Sequence, residues 1–506
     1  IFGDWFNNHG RIHHTGEVFL NGKSFYEKES IEQVFKPIAN KNIKDSVGST
    51  FTWYCESNSI NTTIWANFHK YNPNKELTEI STRRTCIYPD KPSINYLTFN
   101  GFYINQAATQ WGAPTAEQVG MVATHWNKGW IIENNVISDS KCSGITLGKE
   151  RGTGHNVWSA DKDNINRDGN IHYIEVVFRV LRNGWDKEHV GSHIVRNNQI
   201  FNCEQTAICG SMGAAFSVIE NNHIYNIWTK RQFSGAEIGG IKFHAAIDAT
   251  IKHNRIHNSG RGIWLDWMTQ GTRVSGNLFY NNSIEDIFLE VNHGPFIVDN
   301  NILLSPISIH TQSQGGAFAH NLIAGSVYTS DESSRFTPYF LPHSTKMAGL
   351  TTIFGGDDRY YNNIFVAPVD KSIRNGKGNY GLEGYNQAKL KVWMNGNIYY
   401  NGAEPSEKDT DFIISSGFNP DVKFVEEDEG VYLHLTFNEA YYSHKVKMIS
   451  TDLLGLAKIS KAAFDNPDGT PISINTDYFG SIRSDENILA GPFLNLNTGK
   501  VILKVW

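Results

Sequence analysis

The chain has little cysteine, with only Cys55, Cys86, Cys142, Cys203 and Cys209 in 506 residues. The count is odd for a large chain and no C-x-x-C spacing occurs, which gives no zinc or redox motif. The five read as buried thiols. A basic excess is also missing: the net charge is −6 and the pI near 6.4, so nucleic acid is not expected as a partner. No run of about 18 apolar residues could span a bilayer, so no membrane partner is expected either. Neither Met nor a charged and apolar leader opens the sequence at Ile1, which suggests a processed or truncated product. The compartment stays open, with the cytoplasm slightly favoured and secretion allowed. What is there is 40% hydrophobic and 12% aromatic, enough for a large core and more than one domain.

Residues 1–93 alternate short β-prone runs with turns: Glu17 to Leu20 into Asn21-Gly22, Thr50 to Cys55, Thr62 to Asn67 and Glu76 to Ser81. Asn-Gly between such runs is a hairpin signal. This part is expected to form a small β-sandwich set before or into the main body.

From about residue 94 an apolar-Asn-apolar motif recurs, around Asn135, Asn198, Asn222, Asn254, Asn277, Asn301, Asn321 and Asn363. Spacings of 24, 23, 24 and 20 residues separate Asn198 from Asn222, Asn254 from Asn277, Asn277 from Asn301 and Asn301 from Asn321. Asn tolerates a left-handed corner between short strands, and its amide can stack on the Asn above and below. Repetition at this period predicts an all-β fold, a right-handed parallel β-helix over 94–402. Longer insertions, Ala107 to Thr124, Gly148 to Glu188 and Trp228 to Gly240, are expected to wall a cleft. Residues 403–506 are expected to close the solenoid as a terminal β layer or cap.

One stretch carries the chemistry. Gly262-Ile263-Trp264-Leu265-Asp266 and Asp286-Ile287-Phe288-Leu289-Glu290 repeat one pattern, with Ile and Leu inward and an aromatic and an acid outward. The acids lie 24 residues apart, one coil, and coils stack at about 4.8 Å, so the carboxyls are expected about 5 Å apart. Extending the outward positions gives a column His244, Asp266, Glu290, His310. Like charges stacked so closely repel unless one is protonated or a ligand sits on them. That separation suits a retaining glycosidase. Trp264, Trp267 and Phe288 would pack on sugar rings and raise the pKa of the acid that must stay protonated.

The run Gln106 to Gln118, containing Trp111-Gly112-Ala113-Pro114, then Thr124-His125-Trp126-Asn127 through Asn135, then Ser143 to Lys149 resembles the β-xylosidases of glycoside hydrolase family 120. The resemblance covers nearly the whole chain. It implies a β-helix with an N-terminal immunoglobulin-like β-sandwich, and release of single xylose units from xylo-oligosaccharides with retention. It makes Asp266 the nucleophile and Glu290 the acid/base, and matches a further family Glu to Glu237. Substrate contacts are expected from Glu237, His244, Trp111, His125, Trp126, Trp264 and His310. No cofactor and no metal are expected; the partner is a xylo-oligosaccharide, and a homo-oligomer stays open. The rival readings are a pectate lyase or polygalacturonase, for which Asp357-Asp358 is the available acid pair, and a non-catalytic β-helical sugar-binding protein.

Overall fold

The computed structural model describes residues 1–154, 169–369, 378–484, 488–494 and 496–506. Part of the Gly148–Glu188 insertion, residues 155–168, lies outside them.

Among the described residues the main body is a right-handed parallel β-helix of three long sheets, with eight, ten and eleven strands. Every neighbour in these sheets is parallel and one coil away, as in the pairing of Ile263–Asp266 with Gly239–His244 before it and Ile287–Glu290 after it. The inward residues, Ile132, Ile200, Ile224, Ile256, Phe279, Leu303, Ile323 and Phe365 among them, stack as one continuous core. Alternation with period two sends their neighbours outward.

The asparagines form a ladder inside one corner. Each of Asn135, Asn198, Asn222, Asn254, Asn277, Asn301, Asn321 and Asn363 donates its side-chain amide to the Oδ1 of the next rung at 2.9–3.1 Å. The last of these bonds adds a ninth rung, Asn397, which donates to Asp409 Oδ2 at 3.0 Å. The left-handed residue is not the ladder Asn itself but the one before it: Asn134, Asn197, Asn221, His253, Gly276, Asn300, His320, Asn362 and Gly396 all have positive φ. The chain turns at that residue so that the following amide points inward, where its buried N–H and oxygen need partners.

The amino-terminal part holds two small three-stranded sheets, Val18–Leu20 between Lys23–Ser24 and Thr78–Ile80, and Thr52–Ser57 between Tyr26–Glu27 and Thr62–Asn67. Asn21 and Gly22 both have positive φ, +51° and +76°, and join Leu20 to Lys23 as the expected hairpin turn. Val18, Leu20, Phe25, Trp53 and Cys55 form its core. Phe6–Asn7 leaves this part and pairs antiparallel with Ser234–Gly235 of the solenoid.

One boundary changes at the carboxyl end. The solenoid runs past residue 402, since Phe412–Ser415 pairs parallel with Asn397–Tyr400. The residues beyond form a β layer along its sides: Lys423–Glu427, Gly430–Phe437 and Gly499–Lys504 make an antiparallel sheet. Val431, Leu433, Leu435 and Phe437 of that sheet pack on Leu278, Tyr280, Ile302, Leu322 and Ile364. Ile449, Leu454, Phe464 and Ile472 cover Ile297, Ala317 and Ala319 in the same way. The reason is that these outward positions are apolar and leave two faces that water would otherwise meet. Four cysteines are buried thiols as expected, but Cys86 is exposed.

Candidate active site

The eight-stranded sheet positions the site. Gly239–His244, Ile263–Asp266, Ile287–Glu290 and Ile307–Gln312 are consecutive in it. Ile263, Leu265, Ile287 and Leu289 point into the core, so Lys242, His244, Trp264, Asp266, Phe288 and Glu290 face out. Gly262 directly precedes the strand, where a Cβ would stand 2.4 Å from the Asp286 carbonyl oxygen, so no larger residue fits. Pairing puts His244 opposite Asp266. Leu265 pairs with Leu289, so the next residues, Asp266 and Glu290, are equivalent on adjacent coils.

Both acids line one cavity of about 360 Å³ with Trp5, Pro114, Tyr173, Glu237, His244, Arg261, Trp264, Trp267, Phe288 and Arg335. Asp266 Oδ2 accepts from Lys242 Nζ at 2.6 Å and lies 3.3 Å from His244 Nε2, and Oδ1 accepts from the Trp267 backbone N–H at 2.8 Å. Burial works against its charge, but Lys242 first and His244 second outweigh it and hold the carboxyl below its ordinary range. Glu290 Oε1 accepts from Arg335 Nη1 at 2.6 Å and Oε2 from the Trp264 indole N–H at 3.0 Å. Burial first, and the Asp266 charge second, push Glu290 above its usual value against Arg335 and Lys242. Two carboxyls in one cavity thus have opposite proton affinities, the arrangement that separates a charged group from a proton donor.

Glu237 Oε1 lies 3.3 Å from His244 Nε2 and 3.6 Å from Lys242 Nζ, while its Oε2 is buried with no hydrogen-bond partner among the described residues. Donor atoms of Glu237, His244 and Asp266 lie within 4.8 Å of one another, a spacing a metal ion could use, and Lys242 already supplies a cation there. Lys242 Nζ also sits 3.3 Å from the Trp264 ring centroid, and the Arg261 guanidinium 4.2 Å from it.

All three expected insertions reach the cavity, through Pro114, through Tyr173 on the Gly169–Arg182 helix, and through Gly235, Ala236 and Glu237. Of the expected substrate contacts, Glu237, His244 and Trp264 line it and four others do not. Trp111 is buried behind the wall, donating its indole N–H to the Asp4 carbonyl and packing on Phe6 and Phe233. His125 stacks on Tyr88 and bonds to the Pro89 carbonyl. Trp126 packs in the cluster that holds Tyr173, Val176 and Val180, under the helix. His310 pairs with Phe288, and Gln312 pairs with Glu290. The coil after Glu290 is therefore two residues longer than the column assumed, and His310 stacks on Phe288 at 4.1 Å and faces Glu285.

Sequence reasoning missed two residues that hold the acids. Lys242 alternates with His244 on one strand, so the face that brought out His244 carried it too. Arg335 comes from the Glu332–Phe340 strand of a hairpin outside the coil repeat, and no periodic signal leads to it. Asp357 and Asp358 are tied up elsewhere, Asp357 by Arg359 and the Lys458 N–H, Asp358 by the Gly316 N–H and the Tyr385 hydroxyl.

The comparisons make this parallel β-helix with its paired-acid cavity a carbohydrate-active enzyme, a glycoside hydrolase. A model of the glycoside hydrolase 120 insertion domain matches residues 1–80, and one of the right-handed β-helix region matches residues 164–324. XylC, solved in complex with xylose, is 43% identical over 100% of this chain and 83% of that chain, with a TM-score of 0.95. The chain belongs to glycoside hydrolase family 120. The mannuronan C-5 epimerase AlgE4 A-module of Azotobacter vinelandii is 9% identical over 65% of this chain and 85% of that chain, with a TM-score of 0.33, too remote to bear on function. No curated protein matches the chain.

Proposed function

We propose that the protein is a retaining, exo-acting β-xylosidase that releases xylose from the non-reducing end of short xylo-oligosaccharides. The observation that carries this reading is the pair Asp266 and Glu290, equivalent on adjacent coils, with the first held ionised and the second pushed toward its protonated form. Adjacent coils stack about 4.8 Å apart, which favours direct attack by a carboxylate over a water held between two acids. The relative with bound xylose supports a pentose as the sugar.

In this reading Asp266 attacks the anomeric carbon while Glu290 gives its proton to the departing oxygen. Loss of that proton leaves a carboxylate that Arg335 and Trp264 already bond. Glu290 then takes a proton from water, which attacks the glycosyl-Asp266 ester and releases xylose with the starting configuration. Glu237 offers its unpartnered Oε2 to a sugar hydroxyl, and Trp264 and Phe288 give the ring an apolar surface. A cavity of about 360 Å³ lies at the small end of ligand sites, in keeping with one terminal sugar.

The deciding experiment is hydrolysis of a chromogenic β-xyloside followed by proton NMR. The β-anomer of xylose should appear first. Initial α-xylose would replace this mechanism with inversion, and no hydrolysis of any β-xyloside would end the substrate assignment.

A further inference from the structure

A second cavity, about 410 Å³, lies in the seam between the amino-terminal part and the solenoid, lined from one side by residues such as Arg11, Lys28 and Lys36 and from the other by Lys230, Arg231 and Gln232. Its charges are unequally matched. Glu27 is fully engaged: Oε1 accepts from the His14 N–H and ring at 2.9 and 2.7 Å, and Oε2 lies 3.3 Å from Lys141. Lys230 is paired with Glu17 at 2.6 Å. Among the described residues, no ion pair or side-chain hydrogen bond holds Arg11 or Lys28, both of them half-buried. The two lining carboxylates, Glu27 and Glu29, both act on Arg11, and Glu29 on Lys28, through space without an ion pair.

Confinement makes this costly. Burial lowers the proton affinity of both groups and the Arg11 charge lowers that of Lys28 further, with Glu29 opposing the shift at both and Glu27 at Arg11, so two cations repel each other in a partly desolvated space. Such a pair is relieved by an anion that both can bond, and a guanidinium with an ammonium suits the oxygens of a carboxylate or phosphate.

We propose that the seam cavity is a binding site for a small oxyanion, held between Arg11 and Lys28 with Arg231 at the rim. Two sources share that chemistry: the carboxylate of an acidic sugar and free phosphate. The site adjoins the catalytic cavity, because the ladder Phe6–Asn7 with Ser234–Gly235 separates them. Trp5 and Gly235 face one side of it and His9 and Gln232 the other.

Calorimetric titration of the full chain with glucuronate, with inorganic phosphate and with neutral glucose tests this. Saturable binding of glucuronate or phosphate is expected, weakened as salt rises, with no binding of glucose. Glucuronate binding would point to acidic sugars, and phosphate binding alone to a free oxyanion. In R11Q/K28Q the affinity should fall at least tenfold, about 1.4 kcal/mol, with xyloside hydrolysis retained. R11Q and K28Q made singly should each weaken binding, which keeps the test open if the double variant does not fold. Neither anion binding at tens of millimolar, or equal binding by the variants, overturns the proposal.

Discussion

Trp264 donates its indole N–H to Glu290 while its ring lies under Lys242 and Arg261, so one side chain touches the acid and two of the cations around it. Lys242 and Arg335 then divide the work: Lys242 sits on Asp266 and Arg335 on Glu290. If Asp266 is the nucleophile, D266N should lose activity on every xyloside by roughly 10⁴-fold or more, since both steps need it. E290A should keep the first step with a good leaving group and lose the second by about 10²- to 10⁴-fold. Added azide should then rescue E290A and yield the β-xylosyl azide, identified by NMR; an α-azide formed by D266A would reverse the two roles. The pH profile should be bell-shaped, its acid limb set by protonation of Asp266 and its basic limb by ionisation of Glu290. Arg335 favours ionised Glu290, so R335Q should raise the Glu290 pKa and move the basic limb to higher pH. Lys242 favours the ionised form of both acids and bonds Asp266 directly, so K242M should move the acid limb upward and the basic limb by less in the same direction. Profiles of kcat/KM with unchanged limbs would show that these cations do not act on the acids.

The asparagine ladder is the element that keeps Asp266 and Glu290 in step. Asn277 accepts from the Asn254 N–H and amide, and donates to the Ile251 carbonyl and to Asn301. N277A would leave several buried groups unpaired at about 1–3 kcal/mol each. An overall loss on the order of 3–5 kcal/mol is expected from urea unfolding, against a small change for the exposed Asn58. This ladder was largely legible in the sequence because Asn recurred between apolar flanks. Asn397 escaped because the repeat fades there to the eye while the hydrogen bond continues. In the site, the strand alternation carried Asp266, Glu290, His244 and Trp264. It failed for His310, where a change in coil length moved the register, and for Arg335, which arrives from a hairpin with a periodicity of its own. Trp111, His125 and Trp126 belong to family-like runs, but their side chains serve the walls, and burial of that kind leaves no mark in a single sequence.

At the scale of the whole molecule, the carboxyl-terminal residues cover two apolar solenoid faces, the antiparallel sheet one of them and the segment around Ile449 to Ile472 the other. Deleting residues 423–506 should uncover Leu278, Tyr280, Ile302 and Leu322, seen as aggregation or dye binding at neutral pH. Stability should also depend on pH through Asp286 and Asp358, both buried and both raised by burial from 3.8 to about 7. A raised folded pKa means that their contribution is complete below about 4 and is lost as pH climbs through 7. D286N and D358N should therefore flatten the fall in urea midpoint between pH 4 and 8; a parallel curve would show that other groups cause it. The rungs themselves carry a different lesson. Between neighbouring rungs the chain travels 20 residues in one coil, 42 in another and 63 in a third, yet the amide-to-amide distance stays at 2.9–3.1 Å. Contour length and axial pitch are thus decoupled, so whole structures can be grafted into a turn while the rows carrying Asp266 and Glu290 keep their relative phase, and the fold works as a ruler that does not read the thread wound around it.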